Sequence, residues 1–121
     1  MAVILLVEDE RGVLDLISAV LRMAGHEVIT ASNGLEGLAV FQSYPRLIDL
    51  IITDLNMPVM DGYELIGRIR EATPDSKIIS MSGFSEEEAP KGTKFLRKPF
   101  VPDEIRNLVT ETLGAVSGAG P

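Results

Sequence analysis

Five short apolar runs, separated by segments of helical periodicity, constrain this chain more than any other feature. They are Val3-Ile4-Leu5-Leu6-Val7, Glu27-Val28-Ile29-Thr30-Ala31, Leu47-Ile48-Asp49-Leu50-Ile51-Ile52, Lys77-Ile78-Ile79-Ser80-Met81 and Lys94-Phe95-Leu96-Arg97. Apolar runs of this length, bounded by polar, Gly or Pro residues, read as strands, and the continuous ones as strands buried on both faces. Between them apolar residues recur every three or four positions. The sets are Val13, Leu14, Ile17, Val20 and Leu21; Leu35, Leu38, Ala39 and Phe41; Leu65, Ile66 and Ile69; and Ile105, Leu108, Val109 and Leu113. Strands alternating with helices predict an α/β fold, a parallel sheet with helices on both faces. Right-handed crossovers restrict its topology further.

The helix boundaries carry their own signals. Gly25 is a C-cap candidate for the first helix. Asn33 with Glu36, and Asp61 with Glu64, have capping-box spacing, and Pro45 and Pro74 end the helices they open. Pro102 suits the first turn of the last helix. Ser85-Glu86-Glu87-Glu88 has the same opening signature, but Pro90 and Gly92 follow at once. The fourth helix is therefore expected to be shortened to one or two turns. With 121 residues and no internal linker or repeat, the chain predicts one domain over residues 1–116 and a small flexible tail over 117–121.

Composition removes several function classes. A net charge of −7, with the eleven basic residues scattered, argues against a nucleic-acid surface. Without cysteine there is no disulfide, thiolate chemistry or Cys-based metal site. No apolar run has transmembrane length, so membrane insertion is not expected, and a cytoplasmic location fits. The one histidine, His26, follows Gly25 in a turn and is expected to be solvated surface.

Parallel strands place their carboxyl ends on one edge, where open α/β sheets bind ligands. Four of the five ends carry polar groups: Glu8 and Asp9 after the first strand, Asp54 after the third, Ser82 after the fourth and Lys98 after the fifth. Taken singly, each has a plain reading. The acids could be a solvated helix start, Ser82 a turn residue, Lys98 a surface lysine and Asp54 a turn residue. Together they describe a site. Crowded carboxylates repel one another, and a hard divalent cation such as Mg²⁺ relieves that repulsion. Asp54 is then a candidate nucleophile toward a phosphoryl group. The Lys98 ammonium would neutralise phosphoryl oxygens, and the Ser82 hydroxyl would hydrogen-bond the product. The Asn56 carbonyl could complete the metal shell.

These residues resemble the receiver domain of two-component response regulators. The resemblance runs from Val3 to about Leu113. Its carriers are Leu5-Leu6-Val7-Glu8-Asp9-Glu10, Asp54-Leu55-Asn56-Met57-Pro58 with Met60-Asp61-Gly62, Ser82-Gly83 and Lys98-Pro99-Phe100. The resemblance implies a flavodoxin-like, doubly wound five-stranded sheet in the order 2-1-3-4-5, the strand order of the chemotaxis receiver. It implies phosphorylation of Asp54 by a histidine kinase or phosphotransfer domain, and Mg²⁺ bound by Asp9, Asp54 and the Asn56 carbonyl, with Glu8 acting through water. It makes Ser82 and Phe95 the switch pair, Lys98 the phosphoryl contact, and the Lys98–Pro99 peptide cis. A downstream protein partner, and room for a homodimer, follow by the same route. The chain would be a signalling switch rather than a turnover enzyme.

Three features depart from the family pattern. Glu8 stands where Asp is commoner. Phe84 lies two residues after Ser82, a position that helps to set hydrolysis rates, and an apolar ring there would slow loss of the phosphoryl group. The interval from Ser82 to Lys98 is short, which puts the usual output face in question. Two other chemistries are weaker matches. A haloacid-dehalogenase-type phosphatase needs a second Asp two residues after the nucleophile, where this chain has Asn56. An FMN site needs a hydroxyl- or glycine-rich loop where this chain has Glu8-Asp9-Glu10. A receiver fold kept as a scaffold without phosphorylation is a further alternative.

Overall fold

The structure, a computed structural model, describes the backbone of residues 1–119 and the side chains of residues 1–114. Five strands, β1 (Val3–Val7), β2 (Glu27–Ala31), β3 (Leu50–Asp54), β4 (Ile78–Ser82) and β5 (Lys94–Arg97), form one parallel sheet in the order β2-β1-β3-β4-β5. Among the described residues four helices, α1 (Arg11–Met23), α2 (Gly34–Ser43), α3 (Gly62–Ala72) and α4 (Pro102–Ala119), flank it. The expected fourth of five helices is a single 3-10 turn, Glu86–Glu88, so the final helix is numbered α4. Ser85 caps that turn by accepting a hydrogen bond from the Glu87 N–H, and Pro90 and Gly92 prevent extension.

β1, β3 and β4 are buried along their whole length. Their alternate residues feed two cores. Ile4, Leu6, Ile52, Ile79 and Met81 pack with Leu14, Ile17, Leu21, Ile105 and Val109 of α1 and α4. Leu5, Val7, Ile51 and Ile78 pack with Leu38, Phe41, Leu65, Ile66 and Ile69 of α2 and α3. A period-two strand between two period-3.6 helix layers must be apolar on both faces, which is why these runs do not alternate with polar residues.

The helix boundaries follow the expected chemistry. Asn33 and Asp61 each accept the hydrogen bond of the backbone N–H three residues on, at 2.8 and 2.9 Å. At Asn33 the return bond is displaced by one residue: the Glu36 carboxylate accepts from the Ser32 N–H and hydroxyl. Gly25 follows the C-cap of α1 with φ of 94°, a conformation in which glycine carries no Cβ penalty.

Three expectations are corrected. β3 begins at Leu50, and Leu47 before it is half exposed. The buried face of α2 runs through Gly34, Gly37, Leu38 and Phe41, leaving Leu35 exposed and Ala39 outside the buried set. The glycines are drawn inward because α2 lies too close to β1 and the β3–α3 loop for side chains: a Cβ on Gly37 would come within 2.8 Å of Val7 Cγ2. His26 is not simply solvated. It is half buried at the amino end of the sheet, and its Nδ1 accepts a hydrogen bond from the Ala2 N–H. Burial, and then the positive amino terminus, lower its pKa.

α4 continues to Ala119 with a non-helical residue, Gly114, inside it. The tail expected over 117–121 lies outside the residues whose side chains are described.

Candidate functional site

The carboxyl ends of β1, β3 and β4 and the residue after β5 meet above the sheet. Glu8 follows Val7 directly, and its backbone N–H donates to the Ala31 carbonyl, continuing the β1–β2 ladder. Asp54 is the last residue of β3, and the Leu55 N–H after it bonds to the Met81 carbonyl. Ser82 ends β4, and its carbonyl accepts from the Lys98 N–H. The sheet ladder itself thus fixes the backbone of each participant. The Lys98–Pro99 peptide is cis.

Their side chains converge. Lys98 Nζ lies 2.8 Å from Glu8 Oε1 and 2.9 Å from Asp54 Oδ2. Glu8, Asp9 and Asp54 each bring a carboxylate oxygen within 4.8 Å of the others. Glu8 and Asp54 are buried, at 1% and 5% exposure, whereas Asp9 stands on the rim. Burial pushes the Glu8 carboxyl up to about 7, against the opposing pull of its hydrogen bond from Lys98. For Lys98, burial alone would lower the pKa, but the bonds to Glu8 and Asp54 outweigh it and hold the ammonium above its ordinary value.

The loop after β3 wraps around Asp54. The Asn56 N–H donates to Asp54 Oδ1 at 3.2 Å, and the Asn56 side-chain amide donates to Ser82 Oγ at 3.4 Å. Ser82 Oγ also accepts from the Phe84 N–H at 3.0 Å. The loop then folds back. The Gly62 N–H bonds to the Leu55 carbonyl, and a Cβ on Gly62 would sit 2.2 Å from the Asp54 carbonyl oxygen. Only a glycine lets α3 start this close to the strand end.

Glu8, Asp9, Asp54, Asn56, Ser82 and Lys98 are therefore brought together. Phe95 is not part of that cluster. It is half buried on β5 and lines a shallow cleft with Glu86, Arg97, Glu104 and Leu108. A cleft of about 700 Å³ lined by His26, Asp49, Ser76 and Lys77 lies at the opposite, amino end of the strands and contains none of the site residues. Sequence reasoning used only the carbonyl of Asn56 and overlooked its side-chain link to Ser82. It also missed the Glu8–Lys98 pair as a pair. Both become visible only when strand register sets the distances, although the residue types at the strand ends pointed to the region.

As chemistry, the arrangement is a recessed carboxylate, Asp54, beside one fixed cation and two further acids, with a hydroxyl and a backbone amide close by. The donor set is all oxygen, as hard divalent cations prefer.

Comparison with known proteins agrees with this geometry. The family model for the response regulator receiver domain matches residues 4–110. The response regulator receiver protein CpdR of Brucella abortus is 37% identical over 114 residues, covering 89% of this chain and 91% of the relative. The sensor kinase CckA of the same organism is 35% identical over 118 residues, covering 93% of this chain but only 12% of the kinase. Among solved structures, the response regulator protein TrrA of Thermotoga maritima, in complex with Mg²⁺ and beryllium fluoride, superposes with a TM-score of 0.79. It is 32% identical and covers 93% of this chain and 99% of its own. The chain belongs to the response regulator receiver family, the phospho-acceptor domains of two-component phosphorelays.

Proposed function

We propose that Asp54 is the phosphorylation site and that Glu8, Asp9, Asn56, Ser82 and Lys98 serve it. The observation that carries this reading is the convergence of Lys98 Nζ, at 2.9 Å, and two further carboxylates on one recessed aspartate. The donor is the phosphohistidine of a histidine kinase or phosphotransfer domain. In the transfer an Asp54 carboxylate oxygen forms the new bond to phosphorus. The nitrogen–phosphorus bond of the donor breaks, and the imidazole leaves with its electron pair and takes a proton from solvent.

The residues divide the work. Lys98 now bonds to both Glu8 and Asp54 and can turn its N–H groups toward phosphoryl oxygens as their charge arrives. The Asn56 N–H holds Asp54 Oδ1, which orients the other oxygen. Ser82 Oγ accepts two hydrogen bonds and keeps its own proton to donate to the phosphoryl group.

The acidic cluster fits a Mg²⁺ ion. Three carboxylate oxygens converge, one of them on the solvent rim, and the Glu8 carboxyl, its pKa raised chiefly by burial, would be held ionised by a nearby cation. Asp9, Asp54 and the Asn56 carbonyl would hold the ion, with Glu8 acting through water. When bound, the ion supplies positive charge that lets an anionic phosphoryl group approach three acids.

The consequence is a switch. A phosphoryl group on Asp54 recruits the Ser82 hydroxyl, and Phe95 on the neighbouring strand responds to the change. A downstream protein partner, or a second copy of the chain, reads the altered surface. This chemistry, a cytoplasmic kinase relay, gives limited self-phosphorylation and hydrolysis rather than turnover of a metabolite. Reduction of the acyl phosphate with borohydride followed by peptide mapping tests the assignment. The label is expected at position 54; label on Asp9 or Asp61 instead would overturn it.

A further inference from the structure

The end of the sheet opposite Asp54 carries charge of the other sign. Arg70 of α3, Lys77 just before β4 and Lys94 at the start of β5 line one cleft of about 400 Å³, together with Ser76 and Thr112. The one acid on its lining is Asp75. Three cations therefore share a single hollow with one carboxylate, in a chain whose net charge is −7. A cleft lined mainly by one sign of charge, between low-dielectric walls, concentrates counter-ions.

The fold does not neutralise these cations. Among the described residues no carboxylate lies within ion-pair distance of Arg70 or Lys77. Their partners are carbonyl oxygens. Arg70 donates to those of Ser76, Lys91 and Gly92, and Lys77 Nζ to that of Leu113 at 2.9 Å. Lys94 pairs with Glu111 at 3.2 Å, but both side chains are more than half exposed, which makes the pair weak. A guanidinium has five N–H groups and an ammonium three, so donors are left over on all three side chains. Arg70 Nε is buried and has no hydrogen-bond partner. The Ser76 hydroxyl has no protein partner either. Unspent donors and uncompensated positive charge in one recess suit an oxyanion that carries more than one charge.

We propose that this cleft binds a phosphate-type dianion, held by Arg70, Lys77 and Lys94 with the Ser76 hydroxyl. Asp75, Ser76 and Lys77 also line the larger His26 cleft, whose apolar side includes Phe41 and Ile48. A phosphate monoester of a small organic group can thus set its phosphoryl oxygens on the cations and its body across the shared wall. Free phosphate uses the cationic part alone. No covalent bond is made or broken, and the site is independent of the reading of Asp54 as acceptor.

Titration of isotope-labelled protein without Mg²⁺ tests this, with inorganic phosphate and separately with phenyl phosphate, at constant ionic strength. At about pH 8 both ligands are largely dianions. Saturable amide shifts are expected at Ser76, Lys77, Lys94 and Thr112. Tighter binding of phenyl phosphate identifies an ester as the ligand; equal affinities identify free phosphate. Lys77→Gln and Lys94→Gln change exposed side chains and should keep the fold. Each is expected to weaken binding roughly tenfold, the loss of one hydrogen bond to a charged group. Four results would overturn the proposal: shifts that never saturate, the same shifts with sodium chloride, saturable shifts confined to the neighbourhood of Asp54 and Lys98, or unchanged affinity in either lysine variant.

Discussion

Lys98 separates two buried carboxylates, and the consequences are visible in pH. The folded-state pKa of Glu8, about 7, lies above its ordinary value of 4.5. Folding therefore favours the protonated form, and the associated stability is fully present below about pH 4.5 and lost as pH rises through about 7. In chelator-treated protein, the melting temperature should fall between about pH 5 and 8, and Glu8→Gln should flatten that slope. A melting temperature that rises over the same interval would contradict the burial argument. Lys98→Met leaves the carboxylates without their cation, which should cost about 3 kcal/mol at about pH 8. The cost should be smaller at about pH 5, where Glu8 is protonated; denaturant titrations at the two pH values compare them. Phe84 is 59% exposed, and its backbone N–H bonds to Ser82 Oγ beside the site. Phe84→Glu should shorten the half-life of the phosphorylated form, measured by its decay after donor removal; an unchanged half-life would rule the ring out as a shield. At this scale the sequence was informative where residue type decides: carboxylates, a lysine and a hydroxyl at strand ends are unusual enough to be noticed. It was silent about the Asn56 amide, because the reach of a loop side chain depends on how the two ends of the loop are pinned.

Elements meet the site through close backbone approach, and two glycines of α3 show how local this constraint is. A Cβ on Gly62 would meet the Asp54 carbonyl oxygen at 2.2 Å and Leu55 Cα at 2.7 Å, both backbone atoms that cannot turn aside. Nothing lies within 4 Å of the corresponding position on Gly67. Gly67→Ala should therefore stabilise the protein by about 1 kcal/mol, the helix-propensity difference. Gly62→Ala should destabilise it by about 3 kcal/mol or more, as overpacking against rigid neighbours does. Denaturant unfolding of the two variants measures both signs. A second constraint holds the segment that stands in for a fourth helix. Arg70 of α3 donates to the carbonyls of Lys91 and Gly92 at 2.7 and 2.8 Å, and Thr93 Oγ1 pairs with Ser80 Oγ on β4. Arg70→Met should speed amide exchange across residues 89–93 while β1 and β3 stay protected, and unchanged exchange there would show that the clamp is dispensable. The shortness of this segment was legible, since Pro90 and Gly92 stop a helix wherever they occur. The face of α2 was misread because hydrophobicity alone points to Leu35, whereas the deciding quantity is how near α2 lies to Val7 and Met60.

For the molecule as a whole, alternation of strand and helix was sufficient to predict a parallel sheet, and the carboxyl edge followed from strand direction. The strand order did not follow from the residues themselves; it came with the family resemblance, and the observed order matches it. Neither did the correction at His26, since its partner, the Ala2 N–H, belongs to the residue just before β1, 24 residues away. Function divides along the sheet in the same way. One end of the strands gathers acids, a lysine and a serine; the other holds the amino end and the His26 cleft. The central claim is that the first end accepts a phosphoryl group on one residue. Intact mass after incubation with Mg²⁺ and acetyl phosphate, for the wild type and Asp54→Asn, tests it most directly. A gain of one phosphoryl group by the wild type alone is the predicted result; no gain in either protein, or an equal gain in both, would contradict it.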